Sequence, residues 1–117
     1  MRKRKEFMGA STTVLILGVL SRQPSYGYEI VKSVNDQAKG LFTWREGTIY
    51  PVLHKLEKDG LIRGKWQDSQ SGPQRKYYYI TAKGRAALSE DAQHWHGFYE
   101  LISAIVGTRP TKRLAEQ

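Results

Sequence analysis

Residues 43–62 read Thr43-Trp-Arg-Glu-Gly-Thr-Ile-Tyr-Pro-Val-Leu-His-Lys-Leu-Glu-Lys-Asp-Gly-Leu-Ile62. Apolar side chains recur in this stretch at the spacing of one helix face (i, i+3, i+4, i+7): Ile49, Val52, Leu53 and Leu56. Thr43 and Glu46 have capping-box spacing, but Pro51 inside a helix that began there would cost about 3 kcal/mol. We therefore expect a tight turn at residues 44–46, a helix that starts near Gly47 or Thr48, and an end at Gly60.

Two helices are predicted upstream of this stretch. Residues 11–21 carry a broad apolar face, and Pro24 ends this first helix. The second helix runs from Tyr26 to about Ala38, where Ser25 is able to cap its start and Gly40 ends it.

A hairpin and a long helix are predicted downstream. Residues 62–67 alternate apolar or small with polar side chains, and residues 75–80 form a basic, aromatic return strand after a turn rich in Ser, Gly and Pro. Thr81 caps a final helix that reaches about Val106 and is stopped by Gly107 and Pro110.

This order of elements predicts a mainly α fold with a small β-hairpin, namely a winged helix-turn-helix domain followed by a long C-terminal dimerisation helix. The expected parts are a basic N-terminal arm (residues 1–10), the winged domain (11–81), the dimerisation helix (82–107) and a frayed polar tail (108–117).

The charge of the chain points to an anionic partner. Nineteen Lys and Arg against 11 Asp and Glu give +8, in a chain of 117 residues. Six of the basic residues lie in residues 63–85, whereas residues 86–108 carry three acidic residues and no Lys or Arg. Such segregation favours a directed basic surface, for nucleic acid first and for an acidic membrane second.

Several function classes are disfavoured by the sequence. Cysteine is absent, which removes disulfides, thiolate catalysis and cysteine-bound zinc. His94 and His96 are two apart on a helix and cannot share a metal, and we find no catalytic constellation. The apolar run Val14–Leu20 is too short to span a bilayer. We expect a cytoplasmic protein that is not an enzyme and needs no cofactor.

The third helix and the hairpin are the candidate DNA-binding elements. The outer line of the helix offers donors for bases and phosphates: Thr48, Tyr50, His54 and Lys55. The adjacent cations Arg75 and Lys76 follow the hairpin turn, where a wing would meet the minor groove or the backbone. The alternatives are a solvated helix that uses Tyr50 for packing, and an edge strand protected by charge.

Three segments resemble the PadR family of bacterial winged-helix transcriptional regulators: Tyr26-Gly-Tyr-Glu-Ile30, residues 47–62, and Gly72-Pro-Gln-Arg-Lys-Tyr-Tyr-Tyr-Ile-Thr81 with Gly84. The resemblance extends from about Thr13 to Arg85, and the final helix is similar to that of the short members. It implies a homodimer that represses transcription from operator DNA and is released by a small aromatic or drug-like effector.

The resemblance also implies individual roles. Thr48, Tyr50, His54 and Lys55 become groove or phosphate contacts, and Arg75 and Lys76 become wing contacts. Tyr26 braces the second helix against the third and reaches a backbone phosphate. Gln74 stands where a second basic residue is common in the wing, so we expect Arg2 and Lys3 of the basic arm to supplement it.

The final helix carries a stripe too long for one small domain to cover: Phe98, Leu101, Ile102 and Ile105. We expect a partner chain to bury it in a two-fold dimer, with a helix folded back on its own domain as the alternative.

Further up this helix, Trp95 is the hypothetical platform for a flat ligand, with Asp91, Tyr99, Thr13 and Leu17 around it. The alternative for Trp95 is simple dimer packing.

The sequence thus predicts a sequence-specific DNA-binding regulator, a ligand-released homodimeric repressor. Two other classes remain open, a non-specific nucleic-acid-binding basic protein and a winged-helix protein-interaction module. The former would bind all sequences equally with a steep salt dependence, and the latter would be insensitive to neutralising Arg75 and Lys76.

Overall fold

The computed structural model of the chain describes residues 2–69 and 72–107, and the side chains of residues 11–69 and 72–107. The helices are α1 (Arg2–Arg22), α2 (Gly27–Ala38), α3 (Glu46–Lys58) and α4 (Ala82–Val106). The strands are β1 (Ser25–Tyr26), β2 (Ile62–Ser69) and β3 (Gly72–Ile80). The predicted class, mainly α with a small sheet in winged-helix order, is confirmed.

The core lies where α1, α2 and α3 meet the base of the hairpin. Its largest fully buried apolar side chains come from each of these elements: Ile16, Leu17, Ile30, Ile49, Leu53 and Ile62. The loop between α2 and α3 is fixed to α2 by a pair of hydrogen bonds, because Trp44 N donates to Asn35 Oδ1 (2.7 Å) and Asn35 Nδ2 donates to Trp44 O (3.0 Å). This clamp sets the position of α3 relative to α2.

The sheet has three strands, although the sequence predicted two. β1 pairs antiparallel with β3, with Ser25 opposite Tyr78 and Tyr26 opposite Tyr77, so that the strand order is β1-β3-β2. A strand of two residues carries no periodicity of its own, which is why the sequence pattern missed it. Because of β1, β3 is a central strand near its C-terminal end, and β1 and β2 are the edge strands.

The starts of two helices differ from the prediction. α1 begins at Arg2, so residues 2–10 continue the helix and do not form a separate arm; they are rich in Arg, Lys and other good helix formers. α3 begins at Glu46 with Arg45 as N-cap, and Thr43 does not cap it. Thr48 N donates to Arg45 O (3.0 Å), which tightens the first turn. Pro51 is therefore inside the helix, near its start.

The start of α4 is tied to the end of α3, as the cap prediction required. Thr81 Oγ1 accepts from Gly84 N (3.0 Å), and its hydroxyl donates to the Gly60 carbonyl (2.7 Å), with the Leu61 carbonyl also within hydrogen-bonding distance (3.0 Å). A Cβ at Gly84 would lie 2.1 Å from the Leu61 carbonyl oxygen, so only glycine permits this approach. From there α4 contacts α1, with Ser103 buried, and it ends at Gly107.

Candidate nucleic-acid interface

The outer face of α3 is open to solvent. Thr48, His54 and Lys55 are all exposed. Lys55 Nζ lies 3.2 Å from Asp59 Oδ2, one turn along the helix. An exposed i, i+4 pair of this kind is weak, so Lys55 can readily leave Asp59 for another anion. These three side chains are therefore placed for contact with a ligand in solution.

Tyr50 is a packing residue as much as a surface residue. Its ring lies against Gly27, where a Cβ would come within 2.6 Å of Tyr50 Oη. The hydroxyl donates to Glu46 Oε1 (3.3 Å), and partial burial, followed by the charge of Glu46, raises the pKa of Tyr50. The packing alternative considered for Tyr50 fits these contacts: its ring holds the first turns of α3 against the start of α2.

Tyr26 braces the wing, whereas the sequence led us to expect it against α3. Its ring meets Tyr77 of β3 edge-on, with centroids 5.3 Å apart, and lies 6.3 Å from the ring of Tyr28. Its backbone N donates to Glu29 Oε1 (3.2 Å) at the start of α2. This difference follows from β1, because strand pairing turns the Tyr26 side chain toward Tyr77, while Gly27 leaves room for Tyr50 to pack between α3 and α2.

Arg75 is exposed and yet held in place. Its Nη1 donates to Tyr26 Oη (2.9 Å), and its Cζ lies 4.5 Å from the centroid of the Tyr26 ring. A guanidinium has five N–H donors in a fixed fork, so most of them remain available for an anion. The structure thus presents a pre-oriented cation on the wing.

Lys76 is held differently, by an intramolecular ion pair. Its Nζ lies 3.0 Å from Glu57 Oε1, and the two side chains are only 29% and 30% exposed. The other oxygen, Glu57 Oε2, accepts from Gly64 N (3.1 Å). Desolvation alone would raise the pKa of Glu57, but the hydrogen bonds from Lys76 and from the Gly64 amide outweigh it and lower the pKa. The charge of Lys76 is thereby compensated within the chain.

Further cations share the face of Arg75, and the sequence analysis did not single them out. The register pairs Arg63 with Tyr79 and Lys65 with Tyr77, and cross-strand partners lie on one face of a sheet. Lys65 Nζ lies 5.9 Å from the Tyr79 ring. The alternation of residues 62–67 could have identified these cations, because it places Arg63 and Lys65 on the face of the strand opposite to Ile62.

The four apolar residues of the α4 stripe are uncovered in the single chain. Phe98, Leu101, Ile102 and Ile105 are 50%, 53%, 42% and 75% exposed. The helix does lie against α1 of its own chain, as the alternative required, but it does so through another side, where Ser103 is buried.

The predicted ligand residues do not form one open site in the single chain. Thr13, Asp91 and Trp95 are partly buried and Tyr99 is exposed, but Leu17 is fully buried in the core and lines no open space. A groove of about 910 Å³ lies elsewhere, between α1 and α2, and none of these five residues lines it.

Some predicted residues fall outside what the structure describes. Arg2 and Lys3 begin α1, but their side chains are outside the described residues, as is the polar tail 108–117. Among the described residues, no group of three or more His, Cys, Asp or Glu could hold a metal ion. No helix in this part of the chain is long and apolar enough to cross a membrane.

Comparison with known proteins places this arrangement among transcriptional regulators. Residues 16–90 match the family model described as the transcriptional regulator PadR-like family. A PadR-like transcription factor from Bacteroides fragilis superposes with a TM-score of 0.75 at 30% identity, covering 90% of this chain and 99% of that one. A PadR-like transcriptional regulator from Bacillus cereus gives 0.73 at 33%, covering 91% and 97%. The transcriptional regulator YqjI of Escherichia coli is 31% identical over 103 residues, which are 87% of this chain and 48% of YqjI.

Proposed function

Because the chain belongs to the PadR-like family of transcriptional regulators, we propose that it is a homodimeric repressor that binds operator DNA in a sequence-specific way. The observation that carries the proposal is the pairing of an exposed helix face on α3 with a pre-oriented cation, Arg75, on a wing that Glu57 joins to the same helix. This arrangement suits a reader in the major groove and a phosphate contact beside it.

The DNA contacts are divided between two elements. Thr48, His54 and Lys55 of α3 face base edges and adjacent phosphates, and Tyr50 supports them by holding the helix against α2. Arg75 contacts the backbone or the minor groove from the wing. Lys76 contributes less, because Glu57 neutralises it. Arg2 and Lys3 at the start of α1 supplement the phosphate contacts.

The dimer forms through α4. A second copy buries Phe98, Leu101, Ile102 and Ile105, which share one face of α4 and are all exposed in one chain. Two-fold symmetry then sets the two α3 helices about one DNA turn apart, roughly 34–36 Å, which matches a pseudo-palindromic operator. We place such a regulator in the cytoplasm and assign it no catalytic activity.

Release from DNA is proposed to follow binding of a small aromatic or drug-like effector between the two α4 helices. Trp95 stacks on it, with Asp91, Tyr99 and Thr13 at its edges, while Leu17 stays in the core behind them. Binding there rotates the winged domains and moves the α3 helices out of register with the operator. Aromatic compounds that quench Trp95 emission and weaken operator binding, both effects being lost in Trp95→Phe, would support this step.

The experiment that tests the proposal is fluorescence anisotropy across a salt series. The probe is a duplex enriched by the wild-type chain from a random-sequence library, with its shuffled version as control. We expect a preference of about a thousandfold or more for the enriched duplex. Equal binding of the two duplexes, lost steeply with salt, would instead identify a non-specific nucleic-acid-binding protein. No binding to either duplex would identify a protein-interaction module.

A further inference from the structure

We infer that Glu57 fixes the angle between α3 and the wing, and that it thereby sets the preference for operator over other DNA without contacting DNA itself. It is a positioning residue, and the inference rests on the proposed function. The carboxylate lies near the end of α3 and binds both strands of the hairpin. One oxygen meets Lys76 of β3 (3.0 Å) and the other accepts from the Gly64 amide of β2 (3.1 Å).

Gly64 supplies an independent indication that this junction is built for close contact. A Cβ at Gly64 would lie 2.2 Å from Lys76 Cε and 3.1 Å from Glu57 Oε2. The Lys76 side chain therefore crosses β2 through the space that glycine leaves open. Any larger residue would push Lys76 away from Glu57, although the backbone of Gly64 does not have a positive φ that would itself demand glycine.

Two further contacts between α3 and the hairpin lie at the base of the hairpin. Leu56 and Ile62 are buried together in the core, and Leu61 N donates to Leu56 O (3.0 Å). These contacts lie where the chain turns from α3 into β2. Glu57 instead reaches Gly64 and Lys76 further along the strands, and hydrogen bonds are directional where apolar packing is not. The Glu57 contacts therefore set the direction of the wing relative to α3, while β1 and the Arg75–Tyr26 bond tie the wing to the start of α2.

Neutralising Glu57 should act in opposite directions on the affinity for DNA in general and on the preference for the enriched duplex. Neutralising Glu57 removes a negative charge and frees Lys76, which strengthens attraction to any DNA. The same change loosens the wing, so that Arg75 and the α3 face no longer fit one operator together. Affinity for shuffled DNA should rise or stay constant while the preference for the enriched duplex falls.

The test compares the affinity ratio, enriched over shuffled duplex, in full-length variants at one salt concentration. We expect Glu57→Gln and Gly64→Ala each to lower the ratio by about tenfold, the loss that one mismatched base pair causes. Gly64→Ala leaves the net charge unchanged, so a fall in its ratio does not depend on removing an acidic residue. Asp36→Asn is the control, because, like Glu57→Gln, it removes one negative charge that is paired with a lysine. Asp36 pairs with Lys32 on the exposed surface of α2 and lies outside the wing. Its ratio should stay at the wild-type value.

A second readout does not involve DNA. Hydrogen exchange at the Gly64 amide should accelerate by at least tenfold in Glu57→Ala, which removes the acceptor, at a temperature where each variant is fully folded. An unchanged affinity ratio in Glu57→Gln, or unchanged exchange in Glu57→Ala, would overturn the inference alone. A wild-type chain that enriches no sequence would overturn the proposed function, and the inference with it.

Discussion

Arg75 on the wing donates a 2.9 Å hydrogen bond to Tyr26 Oη at the start of α2, and its guanidinium also lies over the Tyr26 ring. Tyr26 is held in turn by Tyr77 beside it on β3 and by the bond from its own amide to Glu29. The wing cation is therefore oriented by β1, directly before α2. A guanidinium restrained in this way loses less side-chain entropy when it meets a phosphate than a freely rotating one would.

The two adjacent wing cations should differ in their effect on DNA binding. Arg75→Ala should weaken binding to all sequences and reduce the slope of log affinity against log salt by about one per subunit, since one phosphate contact is lost. Lys76→Gln should change the slope by much less, because Glu57 already neutralises Lys76. Anisotropy titrations at several salt concentrations measure both slopes, with Lys32→Gln on α2 as the control. Equal slope changes for the two wing variants would contradict this division.

Gly27 should be sensitive to substitution because of Tyr50. Gly27→Ala places a methyl group 2.6 Å from Tyr50 Oη, and we expect a loss of about 1–3 kcal/mol in the free energy of unfolding from this overpacking. Tyr50→Ala removes the obstructing ring, so the double variant Gly27→Ala/Tyr50→Ala should lose less than the sum of the two single changes. Urea denaturation measures all three values. Additive losses would show that the ring and the methyl group do not conflict.

Much of this fold was predictable because periodicity and caps act locally. The apolar stripe of α3, the alternation in the hairpin and the Thr81 cap of α4 each depend on residues a few positions apart, and the structure contains all three. The start of α3 was not predictable in this way. The predicted start rested on the cost of Pro51 alone, whereas the helix begins one or two residues earlier, at Glu46, with a tightened first turn and the Trp44–Asn35 clamp just before it.

The long-range parts of the candidate site could not be predicted from local patterns. Glu57 and Lys76 are 19 residues apart, and each lies in a stretch that is typical of a solvated polar face. Tyr26 contacts Tyr77 of the wing, and Tyr50 holds α3 against α2 in its place, because the two residues of β1 pair with β3. The sequence pattern predicted the residue types of the candidate interface, and the tertiary contacts show how each side chain is held.

The apolar stripe of α4 should determine the oligomeric state. Ile105→Glu places a charge on a side chain that is 75% exposed in one chain, so it should leave the folded monomer intact while opposing burial by a partner. We expect the mass in sedimentation equilibrium to fall from that of a dimer toward 13.4 kDa, with the helical circular dichroism retained. Gln93→Glu adds the same charge to another side of α4 and should remain dimeric. A monomeric wild-type chain would reject the α4 interface.

The Glu57–Lys76 pair should make part of the stability depend on pH in the acid range. The pKa of Glu57 is lowered in the folded chain, below its ordinary value of 4.5. A lowered pKa means that the ionised form favours folding, so the contribution is complete above about pH 4.5 and is lost as the pH falls through the folded pKa. Wild type should exceed Glu57→Gln in free energy of unfolding between pH 6 and 8, roughly 1.5 to 3.5 units above the ordinary carboxyl pKa, and the difference should shrink below pH 4.5. Urea denaturation of both proteins across this range measures it. A difference that grew on acidification would mean that Glu57 is not held ionised by Lys76 and the Gly64 amide.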